Sequence, residues 1–396
     1  MSIDVLMLAP VYPFAEDNGH KIAVMSDVHA VLANGLRLAL FAFWHHGQTE
    51  PSPGDADFPV QVVPVRKGSR PVRFLRSLTS AFPPSVERLY SRHARQALAC
   101  FARKTKPRLV IVNDFCLGGY IPLLREAAPG ARIAARSHNV MADVCSHQLR
   151  GAPRRMKPVF ALETSRWRRL EGGTLRTADC CWAITANDAL RLRQIYGGPG
   201  VGYLPVSIKL EKYLAVPLAA GDDRTLVHLG TTDVRKYPDF LYFLRTTWPR
   251  LREAGADMRL ILGGRFEGVR QLPADGVEYR GYVEDDASLF ARGRYALNLQ
   301  TSTGGIKLKS LTAMAAGRTL VSTTIGVEGI DIQPGMHYWN LEQMIAGGAV
   351  PWLSHDGAAP LEVARRGREW VSENHCAARV GRQFAALLEH LSGQRS

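Results

Sequence analysis

Short apolar runs alternate with helix-length segments along the first half of the chain. The runs lie at residues 3–9, 37–44, 60–65, 109–113, 133–137 and 180–185. They are continuous rather than alternating, which is typical of parallel strands that are buried on both faces. Helix-length segments lie between most of them, at 21–33, 85–104, 162–176 and 187–196. This order predicts a doubly wound α/β domain.

A second α/β series begins after two breaks, at Gly197–Gly200 and Ala220–Asp223. Its predicted strands are 226–230, 258–263, 277–283, 295–299 and 320–323, and its predicted helices are 238–253, 286–293 and 306–316. We therefore predict two Rossmann-like domains that face each other across a cleft, one formed by residues 1–205 and one by residues 206–376. A last helix, within 377–396, is a candidate to cross back and complete the first domain.

The composition agrees with a two-domain globular protein. The 396 residues are 46% hydrophobic and 22% charged, and this length exceeds what one compact core usually holds. No run approaches 18 apolar residues, and the N-terminus lacks the basic flank of a secretory signal, so we expect a cytoplasmic protein. The six cysteines form no C-x-x-C pair, which favours buried reduced thiols over disulfides or a zinc site.

Positive charge is concentrated in the N-terminal half. The net charge is +14, of which residues 1–200 carry +12 and the remainder +2. Two basic segments, Arg66–Arg76 and Arg150–Lys157, lie in this half, and the first is interleaved with apolar residues. Such a segment indicates either peripheral contact with an anionic membrane or a solvated basic face. No nucleic-acid-binding motif accompanies the charge, so we expect no nucleic-acid partner.

Two positions in the N-terminal half are candidates for ligand binding. The loop after the first strand lacks G-x-G-x-x-G, but Gly19 precedes a helix whose first amides can bind a phosphate. His138 follows a buried strand, and we expect it on the cleft rim, where an imidazole can hydrogen-bond a sugar hydroxyl or a phosphate. The alternatives are a plain turn and a structural histidine.

The C-terminal half contains the stronger anion-site signals. Gly304-Gly305-Ile306-Lys307 opens a predicted helix, where glycines allow close approach of the backbone and free N–H groups favour an anion. The loop after Gly230 contains Arg235 and Lys236. These cations are suited to bind a departing diphosphate, and the alternative is that they are a solvated surface pair. The one D-x-D, Asp55-Ala56-Asp57, lies in a loop rich in Pro and Gly, so we expect no metal site.

Several segments, in order, resemble bacterial family 4 glycosyltransferases of the GT-B fold. They are Ala9-Pro10 with Asp17–Ile22, Arg136–Asn139, Leu170-Glu171, Arg176–Asp179, Ile184-Thr185, Val227–Gly230, Gly281–Val283, Gly304–Gly317 and Val321–Thr324. The resemblance spans about residues 3–375. It implies a retaining enzyme with a nucleotide diphosphate sugar as co-substrate and no cofactor.

The resemblance also implies roles for particular residues. It assigns His138 a catalytic role. It places the donor diphosphate at Gly19, Arg235, Lys236, Gly304, Gly305, Ile306 and Lys307, and the nucleobase and ribose at Gly281, Tyr282, Val283 and Thr312.

The sequence departs from the family at a pair of acidic positions. Many relatives carry two glutamates with seven residues between them, the second of which contacts the ribose, but this chain has Gly304 and Thr312 there. A hydroxyl does not replace a carboxylate that clamps a diol. Glu328, after the next strand, is a candidate to compensate.

The leading functional hypothesis is a hexosyltransferase-like glycosyltransferase. It would transfer a sugar from a nucleotide diphosphate sugar to a glycan or lipid-linked acceptor in surface polysaccharide biosynthesis. One alternative is a non-catalytic partner subunit of the same fold that binds a nucleotide sugar without transfer. A nucleotide-sugar epimerase would require cleft carboxylates that the sequence does not show.

Overall fold

The computed structural model describes residues 3–14, 19–47, 50–52, 54–65, 79–197, 200–218, 220–231, 237–254, 257–265, 275–300, 305–347 and 358–393. The chain divides into two compact units. Unit 1 consists of Met1–Ser207 and Ala377–Ser396, and unit 2 of Ile208–Cys376.

Unit 1 is built on a seven-stranded parallel sheet. Its strands are β1 (Val5–Ala9), β2 (Leu38–His45), β3 (Val60–Val65), β4 (Leu109–Asn113), β5 (Arg132–Ser137), β6 (Cys180–Ala183) and β7 (Gly202–Tyr203). They lie in the order β3-β2-β1-β4-β5-β6-β7. Alternate residues of β1 enter two separate cores, Leu6 and Leu8 one and Val5 and Met7 the other. Because both faces are covered, the strand is hydrophobic throughout.

The helices of unit 1 cover both faces of this sheet. They are α1 (Gly19–Ala33), α2 (Arg92–Thr105), α3 (Ile121–Ala127), α4 (Met141–Gly151), α5 (Lys157–Thr177), α6 (Ala186–Tyr196) and α14 (Ala377–Gly393). The last of these packs on α1, where Val380 and Phe384 enter the core that holds Val24 and Val28. At about 1.5–3 kcal/mol for each fully buried large apolar side chain, this contact stabilises the docking of the C-terminal helix on unit 1.

Unit 2 repeats the arrangement with a six-stranded parallel sheet. Its strands are β8 (Asp222–Thr231), β9 (Arg259–Arg265), β10 (Val277–Gly281), β11 (Gly293–Asn298), β12 (Thr319–Ser322) and β13 (Trp339–Asn340), in the order β10-β9-β8-β11-β12-β13. Its helices are α7 (Leu210–Leu214), α8 (Tyr237–Tyr242), α9 (Trp248–Ala254), α10 (Asp286–Phe290), α11 (Leu308–Ala315), α12 (Leu341–Gly347) and α13 (Ala358–Asn374).

The prediction of two doubly wound α/β sheets is confirmed, whereas several helix bounds differ from those expected. The predicted helix 85–104 is divided, because Ser91 is extended and caps α2 by accepting from the Ala94 amide. The predicted helix 238–253 contains a π-helical turn at Phe243–Thr247. The predicted helix 306–316 begins only at Leu308, which leaves Lys307 at its N-cap position.

Both sheets reverse their strand order beside the first strand. The reversal lies between β1 and β4 in unit 1 and between β8 and β11 in unit 2. Ligands of open α/β sheets bind outside the carboxyl ends of strands at this point. Among the described residues, no helix has the length and apolar character that crossing a bilayer requires.

Candidate functional site

Three side chains meet at the strand ends of unit 1. His20 lies in the first turn of α1, Asp114 follows β4, and His138 follows β5. The Nε2 atom of His20 lies 3.5 Å from Oδ2 of Asp114, and the two imidazole rings are 4.8 Å apart between centroids. Unit 1 therefore gathers two imidazoles and a carboxylate at its switch point.

Asp114 occupies an unusual backbone conformation. Its φ is 145°, in a region that residues other than glycine rarely adopt. Its Oδ1 atom accepts a hydrogen bond from the Cys116 amide at 2.7 Å, which caps the short 3-10 turn that follows. Strain of this kind persists where surrounding structure enforces it and is concentrated at functional sites.

His138 is a buried residue at the end of β5. Only 5% of its surface is exposed, and its expected place on the rim of a cleft stays a prediction. Its Nε2 atom lies 2.7 Å from Oδ1 of Asn113. Burial, reinforced by His20 and Arg136, lowers the pKa of His138 well below its usual range. The imidazole is therefore neutral at physiological pH.

A polar chain continues behind His138 into the core. The amide Nδ2 of Asn113 donates to Oδ2 of Asp27 at 2.6 Å. The other carboxylate oxygen, Oδ1, lies 3.1 Å from Nη1 of Arg136, and both of these side chains are fully buried. Desolvation raises the pKa of Asp27 to about 6 against the opposing effects of Arg136 and Asn113. The guanidinium of Arg136, 3.1 Å away, favours the ionised form of this carboxyl.

The cluster of His20, Asp114 and His138 also contains metal-ligand atoms. Those atoms lie within 4.8 Å of one another. Neighbouring ligands of a tetrahedral zinc ion are about 3.4 Å apart at the usual bond lengths, so the side chains would have to move inward to hold an ion. The expectation of no metal stays a prediction. Asp55 of the D-x-D is exposed and bonds to the Tyr12 hydroxyl and the Ser52 amide.

The start of α11 forms the corresponding site in unit 2. Gly305 has a φ of 64°, a left-handed conformation that favours glycine, two residues before Lys307. The Lys307 side chain is 1% exposed, and its Nζ atom lies 3.7 Å from Oε2 of Glu328, which is 34% exposed. A buried ammonium therefore lies beside a partly exposed carboxylate at a helix N-terminus.

A neutral hydrogen-bond cluster joins the two segments that carry this pair. Asn298 ends β11, and its Nδ2 atom donates to Oγ of Ser310 at 2.8 Å and to the Gly326 carbonyl at 2.9 Å. The Ser310 hydroxyl itself donates to the same carbonyl at 2.6 Å. Gly326 is fitted closely, since an added Cβ would lie 2.3 Å from the Ser322 hydroxyl. The cluster fixes the first turn of α11 against the loop before Glu328.

The other site residues expected from the sequence are spread over unit 2. Gly281 ends β10 with a φ of 74°, and Tyr282 beside it is 63% exposed. Val283 and Ile306 are partly buried against the unit 2 core. Thr312 is buried in α11, and its hydroxyl donates to the Lys309 carbonyl at 3.2 Å.

Four expected features lie wholly outside the part of the chain that the structure describes. Arg235, Lys236, Gly304 and the basic segment at 66–76 lie outside the described residues. Gly19 is described and is the first residue of α1.

Sequence reasoning missed most of the polar chain behind His138. Asn113 and Asp114 directly follow a buried strand, which is a signal for a site at the sheet edge. Arg136 lies inside a segment that carried the family resemblance, but its pairing with Asp27 joins residues more than a hundred positions apart. No local pattern indicates such a pair.

Part of unit 2 matches a known protein family. Residues 223–345 match the family model described as glycosyl transferases group 1. This region contains all of β8 but its first residue, β9 to β13, and the Lys307 and Glu328 segments. No curated protein matches the sequence.

Several solved structures resemble the whole chain. HepE of Anabaena, solved in complex with UDP and glucose, is 13% identical over 98% of this chain and 100% of its own, with a TM-score of 0.67. Sucrose-phosphate synthase of Thermosynechococcus elongatus is 15% identical over 99% and 100%, with a TM-score of 0.68. TarM of S. aureus is 9% identical over 98% and 99%, with a TM-score of 0.67. The chain thus has the GT-B fold, and residues 223–345 of unit 2 are similar to the glycosyl transferases group 1 family.

Proposed function

We propose that this protein is a retaining hexosyltransferase that takes its sugar from a nucleotide diphosphate donor. The observation that carries the proposal is the buried Lys307 at the start of α11, inside the region that matches the glycosyl transferases group 1 model. Because bond cleavage places negative charge on the departing phosphate, a fixed ammonium and the free amides of a helix start stabilise the transition state. HepE, a structural relative, was solved with UDP-glucose.

The proposed donor site uses the strand ends of unit 2. Gly305, Ile306 and Lys307 contact the diphosphate. Gly304, which precedes them, and Arg235 and Lys236, in the segment after Gly230, contact it as well. Gly281, Tyr282 and Val283 contact the nucleobase, a role that needs only their backbone. Glu328 takes over the ribose contact for which Thr312 lacks a carboxylate. Its pairing with Lys307 supports this role, because that contact holds both groups at the same helix start.

The proposed role of His138 is to hydrogen-bond the transferred sugar. A neutral imidazole can orient a hydroxyl without opposing positive charge at the reacting carbon. The departing phosphate then accepts the proton of the acceptor hydroxyl, so no separate protein base is required. The Gly19 amide, at the first turn of α1, is proposed to contact the donor diphosphate.

The proposed acceptor is a glycan or a lipid-linked glycan at the inner face of the plasma membrane. A surface formed by Arg150, Arg154, Arg155, Met156, Lys157 and Val159 supports this proposal. All six side chains are exposed, and the two apolar ones are 39% and 43% exposed among the four cations. Such a surface is suited to an anionic bilayer. Surface polysaccharide synthesis is the proposed context.

A second candidate function is a non-catalytic partner that binds a nucleotide sugar. The observation that favours it is Thr312, which provides no carboxylate where relatives contact the ribose. The two functions share donor binding and differ in sugar transfer.

A thermal-shift screen against UDP-, GDP-, ADP- and dTDP-sugars tests the donor site. We expect one nucleotide class to raise the unfolding temperature of the wild type and of Arg365→Met, but not of Lys307→Met. Arg365 lies on the exposed face of α13, paired with Glu362 and Glu369, and provides the control for loss of one cation in unit 2. Equal stabilisation of all three proteins would contradict the assignment of Lys307.

A further inference from the structure

His138 can exist as two neutral tautomers, and the buried chain behind it distinguishes them. A neutral imidazole carries one proton, on Nδ1 or on Nε2, and the other nitrogen is an acceptor. The partner of Nε2 is an amide oxygen of Asn113, at 2.7 Å. An amide oxygen only accepts, so a hydrogen bond there requires the proton to be on Nε2.

The orientation of the Asn113 amide is itself determined by its other partner. Its Nδ2 atom lies 2.6 Å from Oδ2 of Asp27. An ionised carboxylate only accepts hydrogen bonds, so the amide must turn its NH2 group towards Asp27 and its oxygen towards His138. The reverse orientation would place two acceptors, the amide oxygen and the Asp27 carboxylate, in contact.

The ionised state of Asp27 depends in turn on Arg136. Both side chains are fully buried, and the Nη1–Oδ1 distance is 3.1 Å. A buried carboxylate of this kind requires a charged partner, since an isolated one is very costly. Arg136 is held in place by the carbonyls of Leu204 and Pro205, which accept from its Nη2 atom at 3.1 and 3.0 Å.

We propose that Arg136, Asp27 and Asn113 are positioning residues that fix His138 as the tautomer with a proton on Nε2. The Nδ1 atom is consequently the acceptor that His138 offers to a ligand, so His138 accepts a hydrogen bond from a hydroxyl rather than donating one to it. This inference rests on the proposed function for the identity of that ligand, a sugar hydroxyl, but the tautomer itself does not.

The tautomer is observable in the full chain labelled with ¹⁵N-histidine. Long-range ¹H–¹⁵N correlation spectra at neutral pH distinguish a protonated from an unprotonated ring nitrogen. The His138 signals are identified by their loss in His138→Gln. We expect the wild type to show a protonated Nε2 and an unprotonated Nδ1. The opposite tautomer, or an even mixture, would overturn the proposal.

Two substitutions at Asn113 separate positioning from a merely structural role. Asn113→Leu is similar in size but accepts no hydrogen bond, so we expect both tautomers of His138 to be populated. Asn113→Asp keeps an acceptor for the imidazole but faces the Asp27 carboxylate, so the two carboxyls hold one proton between them and we expect the Nε2 proton of His138 to remain. Unchanged His138 signals in Asn113→Leu, or loss of the Nε2 proton in Asn113→Asp, would overturn the proposal. If Asn113→Leu does not fold, the wild type and Asn113→Asp decide.

The matched control is Asn298→Leu, which removes a buried strand-end asparagine from unit 2. We expect it to leave the His138 signals unchanged. None of these spectra requires a nucleotide sugar. A confirmed tautomer without donor binding would therefore reject the proposed function alone, and donor binding with the wrong tautomer would reject the positioning chain alone. Where transfer is measurable, we expect Asn113→Leu to lower kcat by about 100-fold, the order expected for a misplaced catalytic group, with donor affinity unchanged.

Discussion

Two asparagines end equivalent strands of the two units and have different partners. Asn113 ends β4 and Asn298 ends β11, and each strand is the neighbour of the first strand of its sheet, at the switch point. Asn113 bonds to an ionised carboxylate and an imidazole. Asn298 bonds to a hydroxyl and a backbone carbonyl. Asn113 thus belongs to a chain of titratable groups in unit 1. Asn298 belongs instead to a neutral cluster that joins the first turn of α11 to the loop before Glu328.

The buried arginines of the two units differ in the same way. Arg136 pairs with the carboxylate of Asp27. Arg318 of unit 2 donates instead to backbone carbonyls, among them those of Pro217 at 2.6 Å and Ala316 at 3.0 Å. Burial, with the nearby cations Arg368 and Arg294, lowers the pKa of Arg318 to about 10. Unit 1 places charge behind its candidate catalytic group, whereas unit 2 uses a buried arginine to join loop backbones.

The largest expected effect is the loss of the unit 1 ion pair. Arg136→Met leaves Asp27 buried without its cation, which we expect to lower the free energy of unfolding by about 3–5 kcal/mol. The deficit should shrink at lower pH, because the unpaired carboxyl then takes up a proton. Urea unfolding at several pH values measures both effects.

A double variant and a unit 2 variant serve as controls for this prediction. Asp27→Leu combined with Arg136→Met should recover most of the stability, because it removes both charges. Arg318→Met should also destabilise, but without this pH dependence, since its partners are carbonyls. A deficit of Arg136→Met that is the same at every pH would contradict the charged assignment of Asp27.

Substitutions of the two asparagines should differ in their effect on the free energy of unfolding, but by a smaller amount. Removing a buried hydrogen-bond partner costs about 1–3 kcal/mol, and more when the remaining partner is charged. We therefore expect Asn113→Leu to lower the free energy of unfolding more than Asn298→Leu does. Ser310 still donates to the Gly326 carbonyl after the second change. Equal losses in urea unfolding would show that the charge of Asp27 does not distinguish the two sites.

In unit 2, we expect nucleotide-sugar binding to depend on the Glu328 carboxylate rather than on Asn298. We expect Glu328→Ala to weaken nucleotide-sugar binding about tenfold, equivalent to the loss of one hydrogen bond to a charged group. Adding Thr312→Glu to the Glu328→Ala variant should restore the affinity, because it places a carboxylate at the position that the family resemblance assigns to the ribose contact. Calorimetric titration of the three proteins measures this. Unchanged affinity in Glu328→Ala would remove Glu328 from the ribose site.

The smallest expected effect concerns Glu171, a buried carboxylate of unit 1. It accepts from the amides of Met141 and Ala142 at the start of α4 and from the Tyr196 hydroxyl at 2.7 Å. Burial raises the pKa of Glu171 to about 7 against these hydrogen bonds. The native state therefore holds a proton that the unfolded chain releases above its lower pKa, so the stability contributed by this group falls as pH rises towards 7.

We expect the wild type to lose about 1 kcal/mol more than Glu171→Gln between pH 6 and pH 7. The control for loss of a carboxylate charge is Glu342→Gln, because Glu342 is exposed and accepts from the Thr324 amide. Urea unfolding of the three proteins at each pH measures the difference. A wild type that gains stability relative to Glu171→Gln over this interval would contradict the raised pKa.

The sequence predicts the sheets much better than it predicts the chains of polar contacts. Continuous apolar runs such as 109–113 become buried parallel strands, because a strand covered on both faces must be hydrophobic throughout. The Lys307 segment could be identified because its glycine and lysine lie only two residues apart along the chain. The chain from Arg136 to His138 could not, since Asp27 and Asn113 are brought together only by the strand order.

Release of nucleoside diphosphate from the stabilising donor tests the central claim most directly. The reaction is followed with water and with soluble-glycan and lipid extracts as acceptors. The account predicts that the wild type releases nucleoside diphosphate. It predicts that Lys307→Met loses both donor binding and release, whereas His138→Gln keeps donor binding and loses release. Donor binding by the wild type with no release under any of these conditions would contradict transfer and favour the non-catalytic partner.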